Sequence, residues 1–184
     1  MENGNLTDEP VILNSTKNTL LQVSIKFGLI GVLLSIILFM ALYFVDRNPL
    51  INSKFFDFIV IPIMIFFAIK EYRDYENQGK LWFWQGMSIG FINYMTIGIF
   101  SALFVGTFIV WIDGQVLMGF INNRVDYLMT HKVEILKEMN EDRFIETIEN
   151  VKKISTMDVL WDQILRKMII GLFLTIILSV FLRK

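Results

Sequence analysis

The chain has no cysteine and a single histidine among its 184 residues. The first absence excludes disulfides, thiolate metal centres, iron–sulfur clusters and cysteine nucleophiles, and leaves the compartment open. His131, with no H-E-x-x-H around it and no second imidazole or thiolate, makes no zinc site and reads as a solvated structural residue. Charge of one sign is missing as well: 17 Lys and Arg against 18 Asp and Glu leave a net −1, which gives nucleic acid no electrostatic purchase. No G-x-S-x-G, Walker loop or G-x-G-x-x-G occurs. The acidic neighbours Glu134/Glu138 and Glu141/Asp142 read as solvated helix faces, and the N-x-[ST] triplets at Asn5 and Asn14 as chance. No catalytic residue, cofactor or metal is therefore expected.

What the chain has in abundance is apolar length. Apolar residues make up 54% of the sequence and the mean hydropathy is +0.55, more than a soluble domain of this size can bury. Residues 81–112 contain no Asp, Glu, Lys, Arg or His, a run that exceeds the roughly 20 residues needed to cross a bilayer. Trp82 and Trp84 near one end and Trp111 near the other are about 40–44 Å apart along a helix, the spacing of two interfacial belts.

Three more segments qualify as spans. Residues 27–45 form an uncharged run whose helix is expected over about 24–45; its acidic, polar leader argues for an uncleaved anchor. Residues 55–70 are short, with Lys54 and Lys70 snorkelling at the ends and Pro62 kinking the middle. The last span is expected over about 163–182. Its helix begins earlier, because Ser155 and Asp158 have capping-box spacing, and Arg166 and Lys167 snorkel at an interface.

Small residues recur every fourth position in the third span, at Gly86, Gly90, Gly98, Ala102 and Gly106, and in the fourth, at Gly171, Thr175 and Ser179. Ser24 with Gly28 and Gly31 with Ser35 repeat the spacing in the first span. In lipid such stripes allow close helix approach, so spans one, three and four are expected to pack through them.

Two polar intramembrane residues stand out. Asn93 is costly in lipid and, with Gln85, Ser88, Thr96, Ser101 and Thr107, is expected to hydrogen-bond a neighbouring helix. Asp57 is expected at the interface serving its helix start, with an ion path as the alternative.

Between 114 and 154 the pattern turns amphipathic. Leu117, Phe120, Ile121, Val125, Leu128, Ile135, Leu136 and Met139 form one apolar face, and Phe144, Ile145, Ile148 and Val151 a second, with Asn140 between them. The reading is an extramembrane helical hairpin whose net acidic polar face favours protein over anionic lipid, Leu128 and Ile135 being candidates for a partner surface.

The run Lys70-Glu71-Tyr72-Arg73-Asp74, then Gly79, Trp82-Phe83, Gln85, Gly90 and Asp113, and the closing 171–184 helix, resemble a family of small four-helix inner-membrane proteins of the Bacteroidota, domain of unknown function 4199. The likeness covers almost everything after about Lys17. The family often has a second glycine where Lys80 stands and a proline where Gly114 stands. The resemblance implies four spans and a bacterial inner membrane, and supplies no activity.

The sequence thus predicts an all-α, four-span transmembrane bundle: a disordered leader at 1–16, then one membrane domain over 17–184. The expected role is a non-enzymatic subunit or scaffold of an envelope complex. One alternative is a small homo-oligomeric transporter or channel, with Asn93 or Asp57 facing its pore, and another is a membrane-embedded enzyme without a recognisable motif. The partners are the lipid bilayer and either an envelope protein or further copies of the chain. Loop charge places both termini in the cytoplasm and the hairpin outside.

Overall fold

The structure, a computed structural model, describes residues 9–183 and, from residue 19 onward, their side chains. Every regular element among the described residues is helical: α1 (Glu9–Phe44), α2 (Pro49–Glu71) running into a π-helical turn (Tyr72–Glu76), α3 (Phe83–Trp111), α4 (Gln115–Thr130), α5 (Lys132–Ile135), α6 (Glu141–Lys152) and α7 (Thr156–Phe181). Four stretches are long and apolar enough to cross a bilayer: Thr19–Phe44, Pro49–Glu76, Phe83–Trp111 and Thr156–Phe181. The protein is a four-span transmembrane helical bundle with an extramembrane hairpin between its third and fourth spans.

Two boundaries differ from the sequence reading, and a third, the start of the last helix, follows the expected capping box. Residues 1–8 of the leader lie outside the described residues, but α1 starts at Glu9, so the second half of the leader is helical. The second span begins at Pro49, where proline needs no amide partner and the Asn48 side chain accepts from the Leu50 amide at 3.0 Å. It continues through Pro62 into the π turn, long enough to span. The fourth span begins at Thr156 because the capping box forms: the Asp158 carboxylate accepts from the Ser155 amide at 2.8 Å, and the Asp158 amide donates to the Ser155 hydroxyl at 3.3 Å.

α3 is the axis of the bundle, with α7 on one side and α1 on another. Antiparallel α3 and α7 mesh small against large. A side chain at Gly86 would meet Ser179, one at Gly90 would fall 2.3 Å from Thr175, one at Gly171 would fall 2.4 Å from Tyr94, and one at Gly106 would meet Leu160. Gly98 faces the Lys167 side chain at 3.8 Å, and Ala102 is buried on the same helix. On α1, Gly28 lies against Thr96 and Gly31 against Ile97 and Met64. With little hydrophobic drive between helices in lipid, this close approach supplies the packing.

The ends are latched by polar contacts that involve the residues carrying the family resemblance. At the end holding the π turn, Glu71 pairs with Lys26 at 2.9 Å and Arg73 donates to the Leu182 carbonyl. Gln85 does two things at once: its amide oxygen accepts from the Trp82 amide at 3.0 Å and caps α3, and its amide nitrogen donates to the Tyr72 hydroxyl at 3.3 Å, joining α3 to the π turn as expected. Gln78 and Gly79 reverse the chain there with φ of 53° and 76°, the left-handed region glycine enters without cost. At the opposite end Asp113 accepts from the Tyr43 hydroxyl at 3.0 Å and from the Gln115 amide at 2.8 Å, and Asn48 donates to the Val116 carbonyl. Those bonds fasten α4 to the bundle.

Candidate functional site

A charged cluster sits inside the bundle where α1, α2, α3 and α7 converge. Lys167, 3% exposed, donates to the Ser101 hydroxyl at 2.8 Å and to the Gln163 amide oxygen at 3.5 Å. Its ammonium lies 3.5 Å from Asp57 Oδ1, and Asp57 is itself only 5% exposed. Arg166 extends the cluster toward the lipid-facing side, its Nε 3.8 Å from Asp57 Oδ2 and its Nη1 3.7 Å from Asp162. Asp57, Ser101, Gln163 and Lys167 line, with Ser35 of α1, Ser53 of α2 and apolar side chains such as Phe39, Phe56 and Phe104, a cavity of about 20 Å³, room for about one water.

Depth gives this cluster its weight. α3 is centred on Ile97, and Ser101, whose hydroxyl accepts the Lys167 hydrogen bond, is four residues away, about 6 Å at 1.5 Å per residue. The pair therefore lies within the hydrocarbon layer, where an isolated charge is expensive and a matched pair with further hydrogen bonds is tolerated.

These positions correct the sequence reading at two residues. Asp57 was expected to serve a helix start; with α2 beginning at Pro49 it lies in the third turn, facing α7. Lys167 was expected to snorkel, but it is the eleventh residue after Thr156, about 16 Å into the helix, too deep for its ammonium to reach an interface along α7. The capping box had carried that signal, since a helix starting there places Lys167 well inside.

Asn93 is fully buried and donates to the Ser24 carbonyl of α1 at 3.3 Å. It bridges helices as expected, while Thr96 and Thr107 bond carbonyls of their own helix. Both Asn93 and Asp57 are enclosed within the single chain, at 0% and 5% exposure.

The hairpin pairs α4 with α6. Phe120, Phe144 and Ile148 are buried, and Asn140 caps α6 by accepting from the Arg143 amide at 3.0 Å. α4 breaks at His131, whose ring packs 4.3 Å from Tyr127 and bonds the Tyr127 carbonyl, so the first apolar face is not one continuous helix. Leu128 lines a groove with Asn123, Arg124, Tyr127, Thr147 and Val151, and Ile135 is half-buried on α5. Ile145, assigned to the second apolar face, instead projects outward with Tyr127, Met129 and Val133.

Latched loop residues, a small-residue seam and four spans together fit one family, and its model matches residues 26–184. The chain belongs to the family described as Protein of unknown function (DUF4199). No curated protein and no solved structure matches it. Membership in DUF4199 brings no activity with it, so any role has to be argued from the cluster and the hairpin.

Proposed function

We propose that the protein is a non-enzymatic subunit or scaffold of an envelope complex in a bacterial inner membrane, with both termini cytoplasmic and the hairpin outside. The observation that carries this reading is the set of large apolar side chains left uncovered on the hairpin, Tyr127, Met129, Val133 and Ile145, each more than half exposed. Uncovered apolar area beyond the end of a membrane span suits contact with another protein. Over residues 114–154 seven acidic side chains stand against six basic ones, a net −1, so the hairpin lacks the basic polar face that would favour anionic lipid as the cover. The charge cluster fits this role as a lock that fixes how α2 and α7 sit against α3.

A photo-cross-linker placed at Val133 in intact cells tests the reading. It should capture one defined partner, and Val133→Glu should lose that partner while the hairpin keeps its protease resistance. Retention of the same partner by the Glu variant, or recovery of the chain only as itself, would overturn it.

Proton passage is a second reading, favoured by the depth of the Asp57–Lys167 pair. It predicts pH equilibration by the protein in sealed liposomes that Asp57→Asn abolishes.

A further inference from the structure

Along the lipid-facing side of the cluster, α2 and α7 leave a groove of about 340 Å³ lined by Lys54, Phe58, Asp162, Leu165, Arg166 and Ile169. Phe58, Leu165 and Ile169 are each more than half exposed and form an apolar rail that runs toward the bilayer centre. At the head of the rail stands Lys54, half-buried, held by no hydrogen bond or ion pair among the described residues. Arg124 and Arg166 lie within electrostatic range of it; Asp162 offsets them there, and Arg166 also stands 3.8 Å from Asp57.

Depth and charge converge. Lys54 is five residues into α2, about 8 Å below the helix start, and Trp161 is five residues into the parallel helix α7, mostly exposed to lipid. Tryptophan at that level marks the interface, where headgroup phosphates are within reach of a snorkelling ammonium. A half-buried cation with no anion of its own, beside the partly exposed Arg166 guanidinium and above an apolar rail, matches a phosphodiester with an attached acyl chain.

We propose that this groove is a binding site for one anionic phospholipid, its phosphate held by Lys54 and Arg166 and one chain laid along Phe58, Leu165 and Ile169. The site lies on the bundle face, apart from the hairpin, and stands whether or not the hairpin docks a partner.

Native mass spectrometry of the full chain in detergent tests it, with phosphatidylglycerol, phosphatidylcholine of the same chains, and inorganic phosphate as probes. Phosphatidylglycerol should be retained about fivefold more tightly than phosphatidylcholine, and Lys54→Ala should erase that difference. Lys54→Arg should keep it, as should Lys70→Ala at the other end of α2. Equal retention of the two lipids, an unchanged preference in Lys54→Ala, or displacement of the lipid by equimolar inorganic phosphate would each overturn the proposal. Trp161 supplies a readout on the unaltered protein: phosphatidylglycerol with brominated chains should quench its fluorescence more than the brominated phosphatidylcholine. Equal quenching would likewise sink the idea.

Discussion

Lys167 illustrates how a residue's meaning depends on where its helix starts. Read beside the apolar run that follows it, it is a flanking cation; read from the Ser155 cap, it is a buried one, and only the second agrees with its 2.8 Å bond to Ser101. Removing one member of such a pair leaves an uncompensated charge in low dielectric. Lys167→Met should therefore cost about 3–5 kcal/mol, seen as a lowered thermal midpoint in detergent. The double variant Asp57→Asn with Lys167→Met should recover much of that loss. A double variant as unstable as the sum of its parts would mean that the two side chains act independently. Asn93 was legible from sequence because amides in lipid have few alternatives to a helix partner. Asp57 was visible as an anomaly, but its partner was not, since pairing across α2 and α7 depends on a helix phase that composition does not carry.

At the scale of elements, the four spans were legible because long uncharged runs have one physical solution in a bilayer, a helix with its backbone satisfied internally. Their limits were less so: polar first turns such as Pro49–Ser53 and Thr156–Asp158 belong to helices that hydropathy alone cuts short. The stripes of small residues were legible as spacing, while the partner of each stripe required the three-dimensional pairing of α3 with α7 and with α1. That pairing separates glycines that look alike in sequence. Gly90→Ala and Gly171→Ala would press a methyl group against Thr175 and Tyr94, and each should destabilise by about 1–3 kcal/mol. Gly98→Ala has room, its nearest neighbour 3.8 Å away, and should be neutral or slightly stabilising because alanine favours the helix. Thermal unfolding of the three variants side by side gives the ranking, and equal losses would place the seam elsewhere. In the hairpin, the break at His131 escaped notice because no proline or glycine marks it.

For the whole molecule, the order of spans puts the π-turn loop and the hairpin on opposite faces of the membrane. The absence of cysteine makes this directly measurable. An impermeant thiol reagent should label Asn140→Cys from outside intact cells and Asn77→Cys only after the membrane is opened, following the cations Lys70, Arg73 and Lys80 in the short loop around Asn77 against Arg47 and Lys54 in the short loop opposite. Labelling of Asn77→Cys in intact cells would invert the topology while leaving the architecture untouched.

The meshing of α3 with α7 also limits how the molecule can move. Sliding α7 by one turn toward its own C-terminus would carry Thr175, now beside Gly90, to the level of Gly86, bring Gly171 opposite Gly90, set the Lys167 side chain opposite Tyr94, and draw the Lys167 ammonium away from Ser101. Sliding it the other way would drive Thr175 into Tyr94. Neither shifted register keeps the present mesh, so a disturbance at the hairpin end of α7 should reach the far side of the membrane as tilt or rotation of the pair more readily than as piston travel.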